Sequence, residues 1–131
     1  MKTIIAGSRT FMDYKLLMAK VDHYRKDHGI TEIISGGADG ADHMGELYAH
    51  SNGIDLKVFP ADWKTHGRAA GPIRNKQMAD YADCLIAVWD GQSKGTKNMI
   101  ENMHKQKKPV YIIWTGEPFT ANDNQTLYHI Q

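Results

Sequence analysis

The sequence has little that would suit a secreted, membrane or duplex-binding protein. It contains one cysteine, Cys84, and no apolar run approaches the length of a membrane span. A single cysteine cannot form an internal disulfide, and together with the lack of a basic and apolar leader it predicts a protein of the reducing cytoplasm. Lys and Arg number 16 against 15 Asp and Glu, so the chain lacks the positive excess that binds duplex phosphates. We therefore expect no membrane partner, and nucleic acid is disfavoured.

The composition is that of one folded domain. Hydrophobic residues make up 41% of the chain and charged residues 24%, which is enough to form a packed core under a polar surface. At 131 residues the chain is too short for two domains that each bury a full core. We expect one domain over residues 1–114. Residues 115–131 show no clear period, and they are predicted to form a C-terminal tail, an edge extension or a subunit contact.

Short apolar runs alternate with amphipathic stretches along the first 114 residues. The runs that predict strands are residues 3–6, 32–35, 56–59, 84–88 and 110–114. The stretches that predict helices are residues 13–28, 41–51, a third that opens at Pro72, and 96–106, with residues 60–70 as a longer connection. Strands alternating with helices at this spacing imply parallel crossover units. The predicted fold is α/β, a Rossmann-like open parallel sheet of five strands with helices on both faces.

Three predicted loops carry glycines at what would be the carboxyl edge of this sheet, where ligands of open α/β sheets bind. A glycine-rich turn that enters a helix lets backbone N–H groups approach an anion, and the helix N-terminus adds partial positive charge. One such turn is weak evidence, because glycine also serves any turn that needs positive φ. Three at one edge predict a phosphate site. The ligand-binding residues predicted in these loops are Gly7, Ser8, Arg9, Gly36, Gly37, Ala38, Gly40, Asp90, Ser93, Gly95 and Thr96.

Further candidates lie at or near the starts of the second and third predicted helices. Asp42 either interacts favourably with the helix dipole or accepts hydrogen bonds from ribose hydroxyls. Arg74 and Asn75 fall in the first turns of the third helix, where a cation opposes the dipole, so a phosphate-binding role suits Arg74 better than a structural one. Arg68 and Gly71 complete the predicted ligand-binding set.

No metal or cofactor is expected. His43, Glu46 and His50 can share a helix face, but their spacing does not match the HExxH pattern, and a solvated polar face is the better interpretation. Cys84, inside an apolar run, is interpreted as a buried small side chain. The three tryptophans are interpreted as core or rim residues, although the second of them ends a strand beside a glycine loop and could stack on a base. They are Trp63, Trp89 and Trp114.

Four motifs in order resemble the SLOG superfamily, most closely its small single-domain branch related to YspA and YpsA. The motifs are GSR at residues 7–9, SGGADGAD at 35–42, AGPIRNKQM at 70–78 and WDGQSKGT at 89–96. The resemblance spans about residues 2–114 and implies a Rossmann-like fold with a nucleotide-like ligand. Relatives include LOG-type phosphoribohydrolases, which release a base from a nucleoside monophosphate, the DNA-processing protein A family, which binds single strands, and sensors of nucleotide-derived signals in bacterial immunity.

The chain departs from the enzyme pattern of this superfamily. LOG-type enzymes carry an Arg followed four residues later by Met, which Arg74 and Met78 match, and a GGxGTxxE loop with a catalytic Glu. In that loop the Glu position is Met99, and methionine can neither stabilise an oxocarbenium-like transition state nor activate water. Glu101 lies two residues on, about 200° around the helix, and would point elsewhere.

We therefore expect a protein that binds a nucleotide-derived ligand as a sensor, carrier or sequestering agent, in phage or bacterial nucleotide signalling. The alternative is a nucleoside-monophosphate hydrolase that uses Arg74 with Asp42 or Asp90 in place of the missing Glu. Single-strand binding is disfavoured by the charge balance and by the lack of an aromatic series along a basic track. The expected partners are the small molecule and further copies of the chain, in a dimer or larger homo-oligomer.

Overall fold

Five short runs of aliphatic and β-branched residues form one parallel sheet. The computed structural model describes residues 1–116, so the predicted extension lies outside the described residues except for its first two positions. The strands are β1 (Lys2–Gly7), β2 (Glu32–Ser35), β3 (Asp55–Val58), β4 (Cys84–Trp89) and β5 (Val110–Trp114), in the order β3-β2-β1-β4-β5. The predicted five-stranded parallel sheet is confirmed, with β1, β3 and β4 shifted or extended by one residue.

The helices are α1 (Tyr14–His28), α2 (Ala41–Ser51), α3 (Trp63–His66), α4 (Ala70–Tyr81) and α5 (Lys94–Lys105). The prediction for residues 60–70 and for the start of the following helix is wrong. The connection 60–70 contains α3 and a 3₁₀ turn at Gly67–Ala69, because the Asp62 carboxylate accepts the N–H of Thr65 at 3.1 Å and starts a turn there. The next helix, α4, then begins at Ala70, which leaves Pro72 in the first turn, where its missing N–H costs no hydrogen bond.

The start of α5 also differs from the prediction. Asp90 Oδ1 accepts the N–H groups of Gln92 and Ser93, both at 2.8 Å, and this turn brings Ser93 into the N-cap position. The helix therefore begins at Lys94, two residues earlier than predicted.

Successive residues of each inner strand enter two separate cores. Ile5 of β1 packs with α1 and α2 on one face of the sheet, and Ile4 packs with α4 and α5 on the other. This alternation follows from the two-residue period of a strand, and it needs apolar residues at every position of a strand that is covered on both faces. The prediction that β4 is such a strand is confirmed, because residues 84–88 are all buried, including Cys84.

The order of the strands creates the opening in which the candidate site lies. The chain passes from β1 through α1 to β2 and β3 on one side, then crosses back through α4 to place β4 on the other side of β1. The loops after β1 and β4 therefore part from each other at the carboxyl edge of the sheet, as ligand-binding crevices of this class do. Within residues 1–116, no helix is both long enough and apolar enough to cross a membrane.

Candidate functional site

A cavity of about 510 Å³ lies above the carboxyl ends of β1 and β4, between the first turns of α4 and α5. Most residues predicted from sequence to bind a ligand lie around it. The predicted residues in its lining are Gly7, Ser8, Arg9, Ala38, Asp42, Gly71, Arg74, Asn75, Ser93, Gly95 and Thr96. A second cavity of about 400 Å³ follows the loop after β2 and is lined by Gly36 and Gly37, sharing Arg9, Ala38, Trp63 and Arg74 with the first.

Three predicted residues do not line these two cavities. Arg68 lies exposed on the 3₁₀ turn. Gly40 precedes α2 with φ of +74°, and a Cβ there would lie 2.2 Å from the carbonyl oxygen of Ser8, so its role is to let two loops touch. Asp90 lines a separate shallow depression, and its carboxylate accepts the backbone N–H groups of Ser93 and Gln92, which lower its pKa.

Arg74 and Arg9 bring two positive charges to the same cavity. Arg74 Nη1 donates to the carbonyl oxygen of Gly36, and a Cβ at Gly36 would lie 2.6 Å from that nitrogen, so glycine permits the contact. Burial lowers the pKa of Arg74, Asp42 raises it, and the charge of Arg9 lowers it again. The ion pairs formed by residues 1–116 involve neither arginine. Arg9, Arg74 and Lys94 line this cavity together with the carboxylate of Asp42, which lies near Arg74. The excess of positive charge suits the cavity to an anion.

Asp42 connects the glycine loops beneath these arginines. Its side chain is 5% exposed, and Oδ2 accepts the N–H of Ala38 at 3.3 Å. Burial raises the pKa of this carboxyl to about 6, although the N–H of Ala38, the charge of Arg74 and the N–H of Gly7 act in the opposite direction. Asp42 therefore holds the loop after β2 through Ala38 and lines the cavity near the end of β1.

A second polar contact supports the loop after β2, and sequence reasoning missed it. Ser35 Oγ accepts the N–H of Gly37 at 3.0 Å and donates to Glu46 Oε2 at 2.6 Å. The interpretation of Glu46 as part of a solvated face is therefore wrong, because it is half-buried against Ser35, while His43 and His50 are exposed. Among the described residues, no group of His, Cys, Asp and Glu side chains could hold a metal ion.

Asn75 lies in the second turn of α4 and lines the cavity, where its amide already has partners within the protein. Its amide group does not have donors to spare for a ligand, because Nδ2 donates to Asn98 Oδ1 at 3.0 Å and to the carbonyl oxygen of Gly95 at 3.3 Å. Its Oδ1 accepts Arg74 Nε–H at 3.1 Å. Asn75 thus holds Arg74 in place and joins α4 to α5. Asn98, which also lines the cavity, gave no signal in the sequence beyond its place in a polar helix.

The first turn of α5 presents backbone donors to the cavity. The hydrogen bonds of residues 1–116 include none from the N–H groups of Lys94, Gly95 or Thr96, and the N-cap Ser93 makes no side-chain cap bond. Such groups carry the partial positive charge of a helix N-terminus. Apart from its chain neighbours and the backbone of its own helix, a Cβ at Gly95 would meet no atom within 4 Å, so space remains beside this turn.

The aromatic and apolar walls also differ from expectation. Trp89 packs edge-on against Trp114 at 6.2 Å between ring centroids and donates its N–H to the carbonyl oxygen of Ser93, so the structure does not place it in either cavity. Trp63 is 52% exposed and lines both cavities. The sequence signal that could have placed Trp63 in a helix beside the site was Asp62, the residue that caps α3. Met99, at the position of the LOG-type Glu, is 1% exposed and forms part of the cavity wall with Met78.

The chain resembles known proteins at three levels: a family profile, a relative in sequence and a solved structure. The profile of the YspA, cpYpsA-related SLOG family matches residues 1–66. The gene 61 protein of Mycobacterium phage D29 is 32% identical over 117 residues, which covers 83% of this chain and 93% of that protein. In structure, the chain resembles DNA processing protein A from Streptococcus pneumoniae with a TM-score of 0.69 and 17% identity.

These similarities differ in what they establish. The match to DNA processing protein A covers 94% of this chain and 52% of that one, so the chain spans about half of its length, and at 17% identity the likeness concerns the fold. The profile match covers half of this chain, and the phage relative is matched over nearly its full length. The chain belongs to the YspA, cpYpsA-related SLOG family.

Proposed function

We propose that this protein binds a nucleotide-derived ligand whose phosphate lies between Arg9, Arg74 and the first turn of α5. The observation that carries the proposal is the pair of guanidinium groups that share one cavity and form no ion pair within residues 1–116. A phosphate between them would relieve their repulsion and accept charge-assisted hydrogen bonds. The open N–H groups of residues 94–96 supply further donors of the kind that bind phosphate.

The rest of the cavity suits a nucleoside. Trp63 presents an exposed indole ring on which a base can stack, and Met78 and Met99 in the same lining add apolar surface. The carboxylate of Asp42 also lines the cavity and lies near enough to Arg74 to interact with its charge. It is our candidate acceptor for ribose hydroxyls. A sensor, carrier or sequestering role requires only such binding.

The first test removes Arg9, which is exposed and whose side chain has no hydrogen bond or ion pair among the described residues. Arg9→Ala should weaken the binding of 5′-AMP about ten- to a hundredfold, because a hydrogen bond to a charged group contributes roughly 1.5–3 kcal/mol. The free energy of unfolding without ligand should change by less than about 0.5 kcal/mol. Calorimetric titration and urea denaturation measure the two quantities.

Arg68→Ala is the matched control, since Arg68 is exposed and lines neither cavity. It should bind 5′-AMP as the wild type does. GMP, CMP, UMP and a short oligodeoxynucleotide, included because one structural neighbour is named for DNA processing, complete the panel. Equal loss of affinity in both variants would indicate diffuse charge attraction and contradict the proposed phosphate position.

A hydrolase remains the second candidate because one observation favours it. Burial raises the pKa of Asp42 to about 6 in the same cavity as Arg74, and carboxyl groups tuned toward neutral pH serve as general acids and bases. Asp90, the other carboxylate considered, does not line that cavity. The hydrolase candidate therefore depends on Asp42 alone.

A further inference from the structure

Asn98 stands at the end of a chain of side-chain hydrogen bonds that starts at Arg74. Arg74 Nε donates to Asn75 Oδ1 at 3.1 Å, and Asn75 Nδ2 donates to Asn98 Oδ1 at 3.0 Å. Asn102 Nδ2 donates to the same Oδ1 of Asn98 at 3.3 Å. Asn98 is half-buried in the second turn of α5 and lines the larger cavity.

The guanidinium group of Arg74 sets the donor and acceptor of every hydrogen bond in this side-chain series. A guanidinium group only donates hydrogen bonds, so the atom of Asn75 that faces Arg74 must be its carbonyl oxygen. The NH₂ of Asn75 must then face Asn98, which requires Asn98 to turn its own oxygen toward α4. The Asn98 oxygen is thus occupied by two donors, and its NH₂ points away from them. No acceptor for that NH₂ exists among the hydrogen bonds of residues 1–116.

We propose that Nδ2 of Asn98 donates a hydrogen bond to a phosphate oxygen of the bound ligand, an assignment that rests on the proposed function. Side chains of a helix lean toward its N-terminus, so Asn98 covers the turn that contains Gly95. The bond from Asn75 Nδ2 to the Gly95 carbonyl oxygen, at 3.3 Å, joins the two positions through the same amide. Asn98 therefore lies beside the open N–H groups of α5, on the phosphate side of the cavity.

Asn75 acts here as a positioning residue. Its amide holds a charged donor, Arg74, and a neutral donor, Asn98, at a fixed separation on two different helices. A phosphate group has several acceptor oxygens and can engage both donors at once, whereas a free nucleoside offers no anionic oxygen to this corner. The site would thereby distinguish phosphorylated from unphosphorylated nucleosides.

The test compares Asn98→Ala with Asn102→Ala, using 5′-AMP, inorganic phosphate and adenosine as probes in calorimetric titrations. Asn102 is the matched control, because it also bonds to Asn98 but does not line the cavity. Asn98→Ala should weaken binding of AMP and of phosphate about tenfold or more and leave adenosine unchanged, while Asn102→Ala should leave all three unchanged.

Other outcomes separate the possible errors. Equal losses for AMP and adenosine would mean that Asn98 contacts the nucleoside, and equal losses in both variants would mean a structural role; either result overturns the assignment. If the wild type binds AMP and Asn98→Ala binds it with the same affinity, the Asn98 assignment is overturned and the proposed function stands. Wild-type protein that binds none of the probes would overturn both. If Asn98→Ala does not fold, Asn98→Asp keeps the acceptor oxygens and should bind adenosine but not AMP.

Discussion

At the scale of single residues, Asp42 shows how a ligand cavity changes the chemistry of a side chain. An aspartate in water titrates near pH 4, whereas burial raises the pKa of Asp42 to about 6. The folded protein therefore keeps a proton that the unfolded chain releases between these two values. Its stability should fall as the pH rises from about 4 to about 6, and the deficit should persist at higher pH.

Asp42→Asn should remove this dependence, because an amide imitates the protonated carboxyl and carries no charge. A difference of about two pKa units corresponds to about 3 kcal/mol. The variant should match the wild type near pH 4 and exceed its free energy of unfolding by up to about that amount above pH 6. Urea denaturation at several pH values measures the difference, with Asp39→Asn on the exposed part of the same loop as the control. A constant difference across pH would contradict the assignment.

At the scale of elements, we expect the residue that is best for helix stability at the start of α5 to differ from the residue that is best for ligand binding. Gly95 lies in the first turn of this helix and does not have a positive φ. A Cβ there would meet no atom within 4 Å apart from its chain neighbours and the backbone of its own helix. Nothing in the described fold requires glycine there. Gly37 differs, since its φ is +77° and a Cβ would lie 3.3 Å from Val58, so any larger residue strains the backbone.

Gly95→Ala should therefore raise stability and lower affinity in the same protein. Alanine in a helix is favoured over glycine by up to about 1 kcal/mol, while its methyl group would occupy space beside the open N–H groups. Thermal melting without ligand and titration with 5′-AMP measure the two effects. A variant that melts higher and binds AMP as tightly as the wild type would show that the ligand does not approach this turn.

At the scale of the whole molecule, residues 1–116 assemble a cavity lined by two arginines, a tryptophan and one carboxylate among the described side chains. Glycosidic hydrolysis by the LOG-type route needs a carboxylate where this chain has the buried Met99. We expect no adenine release when the protein is incubated with AMP at concentrations that saturate binding, as followed by chromatography. Repeated turnover that disappears in Asp42→Asn would instead establish the hydrolase candidate.

The sequence by itself determined the local features of this protein. Short continuous apolar runs and amphipathic stretches with a period near 3.6 depend on neighbours along the chain. The five strands and four long helices were therefore predictable to within about two residues. Glycine loops entering helices are equally local, and they indicated the carboxyl edge of the sheet. The short helix α3 within residues 60–70 was not predicted, because the helix that Asp62 caps is too short to show a periodic pattern of apolar residues.

Only the tertiary structure decided which side chains serve the cavity and which serve the fold. Asn75 and Asn98 lie on different helices, and their roles follow from a hydrogen-bond direction that Arg74 imposes across the cleft between them. Arg68 and Asp90 have the residue types expected of ligand-binding groups, but the fold leaves one in solvent and uses the other to turn a loop. Residue type and spacing specify what a side chain can do, whereas its partners depend on which elements pack together, and distant parts of the chain decide that.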